Sequence, residues 1–274
     1  MNKRRSFFLA ACAFMAMLTT AIASAQAPQK QVHVLFVGNS LPYVNNLPAL
    51  FGALANAQTD GNGYSTDLIA APGGSIAERW EDGLAAREIT SGHWQVLVLQ
   101  ERGGTLACLG KPGLREQPDC ANSLGAHRRF AKLAREHNMR VIVLGTWGPD
   151  ALWQGQLSRG LRKLADAIGA EVVDSGPPVR TFAESHPATP MYTDAILHPS
   201  IDASLLVAGL LYHQIAGTPA HATSIEMMAP VFPLRVDIRP DQLVSRQARI
   251  AGDGSRQSFA VERLRPLLDA RALP

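Results

Sequence analysis

A chain of 274 residues, 46% hydrophobic and 18% charged, carries enough apolar side chain for a sizeable core, which excludes a disordered or fibrous polypeptide. The formal net charge of +3 comes from basic residues scattered along the chain, with no run interleaved by aromatics, and this argues against a nucleic-acid partner. One domain is the simplest count for this length.

The first 25 residues read as a secretory signal and not as part of the fold. Residues 1–5 (MNKRR) are basic, residues 7–22 are mostly apolar, and Ala23-Ser24-Ala25 is a small-x-small cleavage site. The apolar run is short for a membrane span and is followed by polar Gln26, Gln29, Lys30 and Gln31. The expectation is export to the periplasm or the medium, with no membrane attachment after cleavage. Cys12 leaves with the signal, so Cys108 and Cys120 remain as an even pair in TLACLGKPGLREQPDCAN. In an oxidising compartment they are expected to form a disulfide, closing a Gly- and Pro-rich loop with little structure of its own and adding roughly 2–3 kcal/mol. Nothing nearby supplies further ligands at metal-binding spacing.

Past the signal, apolar patterning alternates in type. VHVLFV (32–37) is a short β-branched run of the kind buried on both faces of a sheet, and residues 46–58 place Leu47, Leu50, Phe51 and Leu54 on one helical face. STDLIAA (65–71) predicts a second strand ended by Pro72-Gly73-Gly74, and residues 75–87 predict a helix. WQVLVLQ (94–100) is a third strand, residues 122–138 a helix, and MRVIVLGTW (139–147) a fourth strand. Residues 151–168 predict a helix, AEVVDSG (170–176) a strand, 178–185 a short helix, and 201–216 a strongly apolar helix. About five strand–helix units imply an α/β protein with a parallel sheet wrapped on both faces. The expected core runs from residue 26 to 223. Residues 224–274 form an extension packing on the same domain, with one helix over 257–271.

In such a sheet the loops after the strands converge at one edge. They present Gly38-Asn39-Ser40, Pro72-Gly73-Gly74-Ser75 and Gln100-Glu101-Arg102, and later YTDAILHPS brings Asp194 and His198. Ser40 has two readings: a helix N-cap followed by Pro42, or a nucleophile. A hydrolytic serine requires a base and donors for an oxyanion, and this set contains both kinds. Histidines 93, 127, 137 and 213 are expected at helix ends or surfaces and His186 in a loop. Trp80, Trp147 and Trp153 suit core packing or sugar stacking.

Three blocks in order resemble the SGNH (GDSL-type) hydrolase superfamily, over about residues 32–217: VLFVGNSL, AAPGGS and DAILHPS. The resemblance implies a flavodoxin-like three-layer α/β/α fold, an ester hydrolase needing no cofactor, Ser40 as nucleophile, His198 as base and Asp194 orienting it. It implies an oxyanion hole from the N–H groups of Ser40 and Gly73 or Gly74. Two positions depart from the pattern. The third block ends VLVLQERGG, with Gln100 where the family has an asparagine donor and Arg102 as a rival. Asp194 stands four residues before His198, where the family has three. The implied substrate is a small-molecule or carbohydrate ester. The alternatives are an O-acyltransferase and an exported glycan-binding protein without catalysis. A flavodoxin-type nucleotide or flavin binder is disfavoured because GNSLPYVNN lacks the residues of a phosphate cradle.

Overall fold

The computed structural model describes residues 30–111, 113–247 and 255–269. The expected signal and its cleavage site lie outside the described residues, as do positions 270 and 271 of the expected last helix. β1 (Lys30–Gly38) leads through a short helix α1 (Ser40–Tyr43) and a single 3-10 turn into α2 (Leu47–Asn56) and β2 (Asn62–Ala70). α3 (Ile76–Glu81) and α4 (Leu84–Thr90) precede β3 (Val96–Gln100), and α5 (Gly103–Gly110) and α6 (Pro118–Glu136) precede β4 (Arg140–Leu144). α7 (Ala151–Ile168), β5 (Glu171–Val173), α8 (Gly176–Ser185) and α9 (Ile201–Ala216) complete the core. The tail adds β6 (Ile225–Met227), β7 (Gln257–Phe259) and α10 (Val261–Asp269).

The first five strands form one parallel sheet in the order β2-β1-β3-β4-β5. This is the doubly wound, flavodoxin-like order, in which the chain winds one way from β1 and the other way from β3. The continuous apolar runs follow from burial on both faces. Val34, Phe36, Val96, Val98, Ile142 and Leu144 join the core beneath α2 and α9, while Leu35, Val37, Leu97, Leu99, Val141 and Val143 join the core beneath α3 to α7. Among the described residues no helix is long and apolar enough to cross a membrane.

Three stretches differ from expectation. The segment read as one helix over 75–87 is two, because Gly83 turns left-handed (φ 74°) between α3 and α4. The cysteine segment is mostly helical, not an unstructured loop: Cys108 lies in α5 and Cys120 in α6, bonded, with Cα atoms 6.2 Å apart. Positions 257–259 pair with 225–227 as an antiparallel ribbon, and only then does the last helix begin. The tail packs on the α2/α9 side, where Phe232, Ile238, Val244, Phe259, Leu264, Leu267 and Leu268 share the core.

Candidate active site

The switch point between β1 and β3 opens a crevice at the carboxyl edge, the place where folds of this order bind ligands. β1 ends on Gly38, where a Cβ would come within 2.9 Å of Pro42 and 3.2 Å of the Gln100 carbonyl, so only glycine fits. The N-cap of α1 is Asn39, whose Oδ1 accepts from the Leu41 N–H at 3.2 Å. Ser40 therefore has no capping duty. Its Oγ lies 3.1 Å from His198 Nε2.

His198 is held in turn by Asp194. Asp194 Oδ2 is 2.7 Å from His198 Nδ1, and Oδ1 accepts from the backbone N–H groups of His198 (3.0 Å) and Ile196 (3.1 Å). The His198 backbone N–H foremost, with the imidazole adding to it, holds the Asp194 carboxyl below its ordinary pKa. The extra residue between the two is absorbed by Leu197, which turns left-handed (φ 67°). That turn is pinned from both sides: the Leu197 N–H donates to the Asp194 carbonyl at 3.1 Å, and Trp147 Nε1–H donates to the Leu197 carbonyl at 2.7 Å.

A second tie joins the two loops. Asn45, buried and left-handed (φ 61°), donates its Nδ2–H to the Pro199 carbonyl at 2.9 Å and to Ser204 Oγ at 3.0 Å. The turn carrying Ser40 is thus bonded to the segment carrying His198. Nothing in the sequence reading singled out Asn45; the Asn45-Asn46 doublet was the available signal, because asparagine tolerates the left-handed region better than most residues.

A cavity of about 510 Å³ opens above this pair, lined by Ser40, His198, Gly73, Thr146, Trp147, Arg102, Leu234 and Arg235 among others. The two glycines of AAPGGS differ. Gly73 lines the cavity with φ 65°, whereas the Gly74 N–H donates to the Ala71 carbonyl at 3.1 Å and a Cβ on Gly74 would run into the Arg79 guanidinium. Gln100 does not line this cavity. Its Nε2–H donates to the Glu101 carbonyl at 2.6 Å, its Oε1 is buried without a partner among the described residues, and the residue lines a separate void of about 10 Å³. Arg102 does line the cavity, with Nη1 3.5 Å from the Gly73 carbonyl. Leu234 and Arg235 come from the tail, a stretch whose patterning carries no reading beyond packing or a lid.

Beneath the floor, buried Glu101 accepts from the Arg102 N–H (2.7 Å), Ser123 Oγ–H (2.7 Å) and the Ile76 N–H at the start of α3 (3.3 Å). It fixes the end of β3 against the Gly73-Gly74-Ser75 loop. His127, expected at a helix end or surface, is instead wholly buried beside Ser123, and burial pushes its pKa down. His186 stacks on Phe182 away from the cavity. Of the tryptophans, only Trp147 lines it; Trp80 packs edge-on against Phe130, and Trp153 is half-exposed near Lys111. No cluster of metal-ligating side chains occurs among the described residues.

No family model matches the sequence, and no curated protein does either. Solved structures are similar in fold. A DUF4886 family protein from Bacteroides uniformis superposes with a TM-score of 0.52 at 13% identity, over 69% of this chain and 84% of that one. BT4096, a gut microbial diltiazem-metabolizing enzyme, gives 0.53 at 13% identity over 75% of this chain, which spans 58% of that protein. Axe2, an acetylxylan esterase from Geobacillus stearothermophilus, gives 0.50 at 13% identity over 68% of this chain and 94% of Axe2. What this chain has in common with them is the α/β fold.

Proposed function

We propose that the chain is an exported ester hydrolase of the SGNH type. One observation carries the reading: the hydroxyl of Ser40 lies 3.1 Å from His198 Nε2, while Nδ1 of the same ring lies 2.7 Å from a carboxylate. A serine relieved of capping, facing an imidazole whose tautomer is fixed by an aspartate, is the arrangement that acyl transfer requires. An acetylxylan esterase of similar fold supports it, and supports also the finer suggestion of an O-acyl carbohydrate substrate.

In this reading Ser40 Oγ bonds to the ester carbonyl carbon as its proton passes to His198 Nε2. The carbonyl electron pair gathers on oxygen, where the N–H groups of Ser40 and Gly73 receive it. Gly73 is favoured over Gly74, whose N–H is engaged in the turn, and Gln100 serves the floor of the site by holding the β3 loop. The tetrahedral intermediate collapses, the C–O bond to the alcohol breaks, and His198 returns the proton to the departing oxygen. Water then attacks the acyl-Ser40 ester by the same route in reverse, and Asp194 steadies the imidazolium in each half.

The test is turnover of 4-nitrophenyl acetate by the purified protein and its loss in Ser40→Ala, by roughly 10³-fold or more. Unchanged turnover in Ser40→Ala, or none in the parent chain, sinks the reading. Adding a sugar acceptor and analysing the products separates hydrolysis from acyl transfer.

A further inference from the structure

We propose that the cavity selects an ester whose non-reacting part carries a negative charge, a carboxylate being the simplest case, and that Arg102 and Arg235 bind it. This rests on the hydrolase reading and narrows its substrate class. The ionisable groups lining the cavity are Arg102, Arg235, His198 and Tyr43; no Asp or Glu among the described residues lines it. Arg79, Arg140, Arg180, Arg239 and Arg263 each hold a carboxylate at 2.6–3.0 Å elsewhere in the molecule. The two arginines at the cavity do not. The side-chain bond of Arg102 is the long one to the Gly73 carbonyl, and Arg235 makes no ion pair or side-chain hydrogen bond with a described residue.

The carboxylate that feels Arg102 is Glu78, and it is occupied. Ser75 donates to it through both its backbone N–H and its hydroxyl, closing the capping box of α3, and Arg79 acts on it too. Glu78 thus offsets part of the charge of Arg102 from a distance without forming an ion pair with it, and the guanidinium donors stay open to the cavity. Arg235 reaches the same space from the tail, where the Tyr43 hydroxyl fixes the preceding residue by donating to the Leu234 carbonyl at 2.9 Å. Two arginines, one from the β3 loop and one from the tail, line the same cavity, and a guanidinium is a planar donor fork suited to an oxyacid. The cavity walls include apolar Leu41, Trp147, Leu197 and Leu234, which lower the local dielectric and lengthen the reach of both charges.

The anion can sit on either side of the scissile bond, and two matched pairs of esters separate the cases. Charge on the alcohol side is read with 4-acetoxybenzoate against its methyl ester, and charge on the acyl side with mono-4-nitrophenyl succinate against 4-nitrophenyl butyrate. Binding is measured calorimetrically on the full chain carrying Ser40→Ala, which removes turnover from the readout. In at least one pair the charged member is expected to bind about ten-fold tighter at low salt. That preference shrinks to about two-fold near 0.5 M NaCl as the charges are screened. Arg235→Gln and Arg102→Gln each lower the charged-to-neutral ratio several-fold, and Arg235→Lys restores part of it. Equal binding of charged and neutral members in both pairs overturns the proposal, as does a preference that survives in the Arg102→Gln, Arg235→Gln double variant. Its failure is distinct from that of the hydrolase reading. A wild-type chain that hydrolyses both members alike keeps the esterase and loses the anion site, while one that binds the charged ester without hydrolysing it keeps the anion site and loses the esterase.

Discussion

Asp194 and His198 are separated by one residue more than the SGNH pattern, and a single backbone torsion makes up the difference. A leucine in the left-handed region costs on the order of 1–2 kcal/mol, since its Cβ crowds the following carbonyl. The turn persists because bonds on both sides of Leu197 over-determine it: its N–H to the Asp194 carbonyl and the Trp147 indole to its own carbonyl. The carboxylate thereby reaches Nδ1 at 2.7 Å, within hydrogen-bond range, and it keeps two backbone donors on its other oxygen. Asp194→Asn tests whether this aspartate orients the ring. An amide oxygen can still accept the backbone N–H groups, so the turn survives. Its NH₂ faces Nδ1, however, and drives the proton onto Nε2, where it blocks acceptance from Ser40. The kcat for a nitrophenyl ester is expected to fall by roughly 10²–10⁴, with an unchanged melting temperature. A loss below about three-fold removes Asp194 from the mechanism.

At the level of elements, what was legible and what was not divide by the range of the interactions involved. β1, β3 and β4 could be read because a strand buried on both faces has no polar interruptions, and α7 and α9 could be read almost to the residue because each is capped by its own neighbours. Asp150 and Ser200 accept from N–H groups three residues on, and Gly169 and Gly217 close the far ends left-handed. Gly38-Asn39-Ser40 and His198-Pro199 were legible for the same reason, each marking the end of a patterned element. The helix around Cys108 was not. Its GG and GKPG flanks read locally as loop, and it is packing that makes it helical: α5 lies so close on α7 that a Cβ on Gly160 would meet the Leu106 carbonyl at 2.0 Å. Nor was the tie between loops legible, because Asn45 and Pro199 are 154 residues apart. Asn45→Ala should show what that tie does. It leaves a buried carbonyl and hydroxyl short of a donor, for about 1–3 kcal/mol, and forces alanine into the left-handed region for about 1 more. Asn45→Gly loses the bonds but not the torsion, so denaturant titration should rank wild type above Gly and Gly above Ala. Both variants should lower kcat more than they raise KM, since the Ser40–His198 approach and not the cavity is disturbed. The reverse order of Gly and Ala stability would refute the backbone part of the account.

On the scale of the whole molecule, the tail adds Leu234 and Arg235 to the wall of the cavity at the sheet edge. It crosses the α1–α2 turn held by three long-range bonds: Tyr43 hydroxyl to the Leu234 carbonyl, the Asn45 N–H to the Phe232 carbonyl, and Asn46 Nδ2–H to the Pro230 carbonyl. Arg263 anchors its far end by an ion pair with Asp202 at the start of α9. Between these lies an acid in an unusual position. Asp67 on β2 is 9% exposed, and its carboxylate accepts from the Leu68 N–H (2.8 Å), the Ser245 N–H (3.1 Å) and the Ser245 hydroxyl. Burial raises its pKa above the ordinary aspartate value despite those donors. The sign of the consequence follows from linkage. An acid whose folded pKa is raised holds its proton more tightly in the folded chain, so its contribution to stability is fully present below the unfolded value near 4 and is lost as pH rises through the folded value. Asp67→Asn removes this titration while keeping an oxygen to accept from Ser245. The unfolding free energy of wild type minus that of the variant should therefore fall as pH is raised from about 4 through the folded pKa, and then level off. The window can be followed by urea titration at closely spaced pH values. A difference that climbs with pH in that window would mean that Ser245 and Leu68 stabilise the carboxylate more than burial penalises it, and that the tail is docked by charge-assisted bonds at neutral pH and not in spite of a buried charge.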